Sequence, residues 1–136
     1  MDRSAAPASA RRGATAVEFV VVAPLLFLFF FAAFEFCRVA MIRHTADNAV
    51  YEGCRAGIIP GASAPDAQQQ TQRIMNSLGV NNVSVTVIPD TIDRETREVT
   101  VRLVVPLDAN SFVPNQFVAG RSIVRQLTMR REGIAQ

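Results

Sequence analysis

The sequence predicts an α+β protein, in which a long N-terminal transmembrane helix continues into a small domain with a second helix and a three-stranded antiparallel sheet. Three observations support this fold class. An apolar block occupies residues 14–34, apolar residues at helical spacing follow it, and three segments near the C-terminus alternate apolar and polar residues. The expected organisation is a flexible basic leader or cytoplasmic tail at residues 1–13, the transmembrane helix at residues 14–34, and an extracytoplasmic α+β domain at residues 35–136.

The composition argues against several functional classes. Hydrophobic residues make up 49% of the 136-residue chain, and its 14 basic residues, all Arg, nearly balance 12 acidic residues, which leaves a net charge of +2. The Arg residues are scattered, whereas a nucleic-acid-binding protein is expected to show a basic stripe. Two Cys and one His are too few for a structural zinc site. We therefore expect no nucleic-acid partner, no metal or cofactor, and no catalytic site.

The apolar block at residues 14–34 carries a single charge, Glu18. Roughly 20 apolar residues are enough for a helix to span a bilayer, and a domain of this size could hardly bury such a block on every side, which favours a membrane helix over a buried core helix. Arg3, Arg11 and Arg12 precede the block and favour a cytoplasmic N-terminus. The block is longer than the apolar core of a signal peptide and lacks a small-residue cleavage site after it, so we expect it to stay in the mature protein.

The first helix is expected to continue past the membrane to Ala56, with Pro24 kinking or loosening it and Gly57 with Pro60 ending it. Its core-facing side is predicted from residues at helical spacing: Val39, Ile42, Ala46, Ala49, Val50 and Gly53. Small residues on this part of the helix are expected to let a sheet or a second helix approach closely: Ala46, Ala49, Gly53 and Ala56.

A second helix is predicted to begin after Ser63, with Asp66 in the position of a capping-box acid, and to end at Gly79. Its buried face is expected to consist of four residues: Ala67, Thr71, Ile74 and Leu78. Three strands follow at residues 83–88, 99–105 and 122–131, and a polar turn joins the first two. In the third strand Ile123, Leu127 and Met129 are in phase, and Arg125 is a polar exception to this phase. The apolar side chains between the second and third strands are expected to cover the sheet, with a partner surface as the alternative: Phe112, Val113, Phe117 and Val118.

The remaining polar residues favour structural interpretations. His44 is expected to be a polar surface residue. The acidic turn is expected to be a solvated hairpin rather than a cation site: Asp90, Asp93, Glu95 and Glu98. Cys37 and Cys54 would lie about 25 Å apart on one continuous helix, too far for a disulfide, so Cys54 is expected to be a buried thiol.

Glu18 is costly inside an apolar helix, by roughly 2.5–3.5 kcal/mol for an acid at mid-helix and less near an end. It either extends to the headgroups or pairs with a cation inside an assembly. The residues around it, Arg11-Arg12-Gly13 followed by Ala14-Thr15-Ala16-Val17-Glu18-Phe19, resemble the cleavage site of prepilins. In that family a basic leader ends in Gly and a Glu stands fifth in the mature chain. Counted from Ala14, Glu18 is fifth, and Ala14 stands where many pilins have Phe or Met.

The chain resembles more closely the TadE-like family, which contains minor pilins and pseudopilins of the tight-adherence (Flp) pilus system. Besides the motif from Gly13 to Phe19, the resemblance includes Pro24-Leu25-Leu26 and Glu35-Phe36-Cys37-Arg38, and more loosely the closing segment at residues 104–132.

The resemblance implies a pilin-like fold and a structural role without enzymatic activity in a bacterial inner membrane, either before or after incorporation into a pilus. It implies cleavage between Gly13 and Ala14 by a prepilin peptidase. It also implies that Glu18 contributes to assembly with other pilins or pseudopilins and the pilus assembly machinery, as a hetero- or homo-oligomer. The alternative is a single-pass, membrane-anchored periplasmic binding or scaffold protein that is neither processed nor polymerised. An enzyme subunit is disfavoured because candidate site residues are missing from the sequence.

Overall fold

The computed structural model describes residues 8–111 and 120–131, with side chains from Gly13 onwards. The chain divides into two units, residues 1–36 and residues 37–136. The elements in chain order are α1 (Ala8–Ile58), α2 (Ala64–Ser77), β1 (Ser84–Ile88), β2 (Glu98–Pro106) and β3 (Ser122–Arg130). The predicted α+β class, with a long N-terminal helix, a second helix and a three-stranded antiparallel sheet, is confirmed.

Helix α1 is longer than the sequence predicts, because it already begins at Ala8. The helix thus extends into the predicted leader, whereas the assignment of residues 1–13 as a leader or cytoplasmic tail stays a prediction. Adding residues to an existing helix requires no new nucleation, and the Ala and Arg residues of this segment are good helix formers. The helix continues through Pro24 and ends at Ile58, just past the predicted end at Ala56.

The core of the second unit lies between the helices and one face of the sheet. The sheet has the order β1-β2-β3 with antiparallel pairing throughout, so β2 is the central strand. Alternate β2 side chains are fully buried: Val99, Val101, Leu103 and Val105. Of the two helices, α1 contributes more side chains to the core. They lie on the predicted face, with the thiol of Cys54 in addition: Ile42, Ala46, Ala49, Val50 and Cys54. Burial of these apolar surfaces is the main source of the domain's stability.

Helix α2 begins and ends where the sequence predicts. The Asp66 carboxylate accepts hydrogen bonds from the backbone N–H of Ser63 at 2.9 Å and from its hydroxyl at 2.6 Å. Gly79, with φ +67°, follows the helix in the left-handed conformation that favours glycine. The buried side chains of α2 differ partly from the prediction, because Met75 is fully buried whereas Ile74 is only partly buried.

Helices α1 and α2 approach each other closely at two glycines. A Cβ at Gly53 would collide with the hydroxyl of Thr71 and lie 3.2 Å from the carbonyl oxygen of Ala67. A Cβ at Gly57 would lie 3.2 Å from Ala67 Cβ on α2 and 3.0 Å from Val99 Cγ1 on β2. The predicted close approach is therefore confirmed, although Gly57 takes part in it and the more exposed Ala56 does not.

Arg125 lies on the packed face of β3, in phase with Ile123 and Leu127. Its Nε donates to Asp47 Oδ1 at 2.6 Å, so its charge is paired at the rim of the core. Both side chains are partly exposed, and such a pair contributes at most about 1 kcal/mol. The ion pair explains why a cation is tolerated in an otherwise apolar phase. The apolar residues Phe112, Val113, Phe117 and Val118 lie outside the described residues, so their predicted role in covering the sheet stays a prediction.

The close approach at Gly53 gives a first prediction. We expect Gly53→Val to lower the free energy of unfolding by about 1–3 kcal/mol or more, because the side chain overpacks the contact between α1 and α2. The measurement is trypsin susceptibility of the detergent-solubilised full chain in increasing urea. Ala40→Val is the matched control, since Ala40 is exposed on the same helix and should change the midpoint little. Equal midpoints for the two variants would contradict the close approach.

Candidate membrane and assembly segment

The first unit exposes its large apolar side chains. Phe19 is 71% exposed and Phe30 is 63% exposed, and the most apolar window of the helix has no buried residues. A core helix of a soluble domain would instead bury such side chains. The structure contains one described helix that is long and apolar enough to cross a membrane, at Gly13–Ile58. This single N-terminal apolar helix indicates a single-pass membrane anchor.

Gly13 has no structural reason to be glycine within the described part of the chain. It lies in the regular helix α1 and is absent from the glycines with positive φ. A Cβ built on it would meet no atom within 4 Å. A demand for glycine at this position would therefore come from a molecule that binds the chain, and not from its own fold.

Ala14 and Glu18 lie on the same side of α1. Both residues are exposed, and residues four positions apart in a helix are neighbours on its surface. Their backbones are about 6 Å apart along the helix axis. Glu18 has no ionic partner among the side chains that the structure describes. An amine created at Ala14 would thus lie within reach of the Glu18 carboxylate.

A polar cluster, here called the Asn110 junction, ties the beginning of α1 in the second unit to the end of β2. Asn110 is 4% exposed, and its backbone oxygen accepts a hydrogen bond from Arg38 Nε at 2.6 Å. Its side-chain oxygen accepts from the N–H of Asn81 at 2.7 Å, while its side-chain nitrogen donates to the carbonyls of Asn81 and Pro106. Sequence reasoning missed this residue, because an Asn after a strand is typical of a solvated turn.

The two cysteines have different environments. Cys54 is fully buried and its thiol donates to the carbonyl oxygen of Leu127 at 3.1 Å, whereas Cys37 is exposed, and both are free thiols. The predicted buried thiol is confirmed. Burial raises the pKa of the Cys54 thiol above its ordinary value, and a hydrogen bond with the backbone of Val101 partly offsets this shift.

The remaining polar candidates are surface features. His44 is exposed, as predicted. In the hairpin turn the Asp93 carboxylate accepts hydrogen bonds from the hydroxyl of Thr96 and the N–H groups of Glu95 and Thr96, and these bonds lower its pKa. The turn therefore uses one Asp93 oxygen to hold its own backbone. Among the described residues, no group of three His, Cys, Asp or Glu side chains has a metal-binding arrangement.

Comparison with known proteins finds a family-model match for the N-terminal part of the chain. Residues 13–55 match the family model described as TadE-like protein, which confirms the resemblance seen in the sequence over this range. The match includes Gly13, Glu18, the apolar helix and the Glu35-Phe36-Cys37-Arg38 motif, and it ends before α2. Neither the curated proteins nor the solved structures contain a match to this chain.

The buried thiol gives a prediction about pH. In the unfolded chain the Cys54 thiol ionises near pH ~8.5, whereas in the folded chain its pKa is raised. Unfolding then releases a proton above that pH, so the contribution to stability is complete below it and is lost as pH rises. We expect the free energy of unfolding to fall as pH rises through about 8.5, over a range of about pH 8 to about pH 10.

Urea unfolding of the full chain across this pH range is the measurement. Cys54→Ser should flatten the alkaline slope, because serine does not titrate there. Cys37→Ser is the matched control and should keep the slope, since Cys37 is exposed. If the slope persists in Cys54→Ser, the pH dependence of stability arises from another titrating group.

Proposed function

Because residues 13–55 carry the TadE-like segment, we propose that the protein is a structural minor pilin or pseudopilin that takes part in assembly of a tight-adherence (type IVb-like, Flp) pilus. The family match is the observation that carries this proposal, since it contains both the anchor and the residues expected to act in processing and assembly. The second unit supports a structural role, because its buried polar side chains form hydrogen bonds that stabilise the fold.

We place the protein in the bacterial inner membrane with the N-terminus in the cytoplasm. Arg11 and Arg12 directly precede the apolar segment, and basic residues are retained on the cytoplasmic side. In this orientation the domain at residues 35–136 is extracytoplasmic and available to other pilins or pseudopilins and to the assembly machinery.

In this proposal a prepilin peptidase removes the leader between Gly13 and Ala14. The enzyme has to approach the peptide bond closely, and a residue without a Cβ permits that approach. The bond lies in helix α1, so the beginning of the helix must unwind in the enzyme. The first N–H groups of a helix lack intrahelical acceptors and helix ends open at low cost, which makes this local unwinding affordable.

Glu18 then acts on the amine that cleavage creates. The Ala14 amine is a cation with a reference pKa of about 8, and an unpaired charge at the edge of the bilayer is unfavourable. The Glu18 carboxylate can pair with the amine of its own chain or with that of a neighbouring subunit. Pairing between subunits would fix their axial register, because the carboxylate has to lie level with the neighbouring amine.

The role of Gly13 is tested by its replacement. We expect Gly13→Val to leave a full-length product, because a branched side chain blocks approach to the bond, whereas wild type should begin at Ala14. Mass spectrometry of the protein from membranes measures both. Ala16→Val is the matched control, since it adds similar bulk nearby and should be processed normally. A wild-type protein that keeps residues 1–13 would favour the unprocessed, membrane-anchored alternative.

The role of Glu18 is tested separately. We expect Glu18→Ala to insert into the membrane at least as well as wild type, because a charge is removed from an apolar segment. It should nevertheless co-purify less with partner pilins and lower piliation several-fold. Val17→Ala is the matched control and should keep both. Protease resistance of the outer domain should be unchanged in either variant. If piliation and co-purification in Glu18→Ala equal those of wild type, Glu18 does not contribute to assembly and only extends to the headgroups.

A further inference from the structure

Strand β3 lies at the edge of the sheet, because the order β1-β2-β3 places β2 on one side of it and no described strand on the other. The side of β3 that faces away from β2 is here called the free edge. Just beyond the ends of the paired strands, the N–H of Leu107 donates to the carbonyl of Arg121 at 2.9 Å, and the N–H of Arg131 donates to the carbonyl of Arg97 at 2.8 Å. Both pairs continue the register of β2 and β3.

These two hydrogen bonds determine which backbone groups form the free edge. Directly opposed residues of an antiparallel pair alternate between hydrogen-bonded and non-hydrogen-bonded pairs. Both bonded pairs consist of odd-numbered residues, so the odd-numbered residues of β3 bond to β2, and the even-numbered residues direct their N–H and C=O groups outward. The outward groups belong to five residues: Ser122, Val124, Gln126, Thr128 and Arg130. A row of outward backbone groups is a template for a strand of another chain.

The side chain of Arg125 reaches over the free edge from the packed face of the sheet. Arg125 lies in phase with Ile123 and Leu127 on that face. Its Nη1 nevertheless donates to the carbonyl oxygen of Val124 at 3.1 Å. This carbonyl is one of the outward groups, so the guanidinium occupies an acceptor that an added strand would use.

Asp47 holds the guanidinium in this position. The Nε of Arg125 donates to Asp47 Oδ1 at 2.6 Å, so one guanidinium connects a carboxylate on α1 with the Val124 carbonyl on β3. A strand that pairs at Val124 would have to displace Nη1 from its acceptor. It would also remove the partly exposed ion pair from water, and the desolvation of two charges is costly.

We propose that the Arg125–Asp47 pair is a protective contact, which prevents the free edge of β3 from pairing with β3 of a second copy of this chain. Natural sheets avoid edge-to-edge association in this way, with charged side chains that point inward at an edge strand. The protective contact lies wholly within the second unit. The proposal therefore rests on neither membrane anchoring nor leader cleavage nor a place in a pilus.

Removal of the guanidinium tests the proposal. We expect Arg125→Val to raise several-fold the fraction of detergent-solubilised full chain that has the mass of two or more copies. Sedimentation velocity at equal protein concentrations measures this fraction. Gln126→Val is the matched control, since it adds the same side chain at the next residue of β3, leaves the ion pair in place and should stay at the wild-type level. Equal fractions for Arg125→Val and wild type would overturn the proposal.

A proline separates strand pairing from non-specific association of a new apolar surface. The N–H of Gln126 points outward, so a proline at this position removes no hydrogen bond to β2 but cannot donate to an added strand. We therefore expect Arg125→Val combined with Gln126→Pro to return to the wild-type level. If the double variant associates as strongly as Arg125→Val alone, the association does not use the free edge and the proposal is wrong.

Asp47→Ala decides the matter if the urea midpoint shows that Arg125→Val does not fold. Asp47 lies on the exposed surface of α1, so its replacement leaves β3 unchanged while the guanidinium loses its carboxylate partner. We expect a rise in the associated fraction that is smaller than for complete removal of the guanidinium and that Gln126→Pro again suppresses. In that case, a wild-type level in Asp47→Ala would contradict the proposed protection.

Discussion

Helix α1 is one continuous helix whose two parts need different patterns of apolar residues. Its first part is apolar on every side, as a helix surrounded by lipid has to be, because lipid cannot compensate exposed polar groups. Its second part is apolar on one side only, because one face packs on a sheet while the opposite face is exposed. The rest of the domain depends on this change of pattern, since α1 supplies the surface against which β2 buries its side chains.

The domain is held to α1 by small residues and by satisfied polar groups. Gly53 and Gly57 leave room for Thr71, Ala67 and Val99, which would otherwise collide with side chains on α1. Where polar atoms are buried they find partners, as at Asn110 and Cys54, and among the described residues no buried side-chain nitrogen or oxygen lacks a hydrogen bond. Unpaired groups at these positions would cost about 1–3 kcal/mol each.

Periodicity in the sequence was sufficient to predict the elements, because each strand and helix buries one face and repeats its pattern locally. The same reasoning failed where a residue's role depends on a distant partner. Arg125 is a polar exception in the apolar phase of β3, and only the ion pair with Asp47 explains it. Asn110 resembles a turn residue in the sequence, and its hydrogen bonds with Arg38 and Asn81 are visible only in the structure. Met75 escaped notice because it lies in a Gln-rich helix whose neighbouring Ile74 also fits an apolar face. Gly13 and Glu18 were found through a family pattern, since they make no contact that the fold requires.

The Asn110 junction has a mechanical consequence. A tension applied along α1 reaches the second unit at the first helical turns of that unit, where Arg38 donates a hydrogen bond to the segment that follows β2. That segment leads directly into the central strand, whose neighbours on both sides are antiparallel partners over most of its length. The load is therefore shared among many hydrogen bonds and the packed core at once. Within the second unit, α1 would therefore separate from the sheet only if these contacts break together.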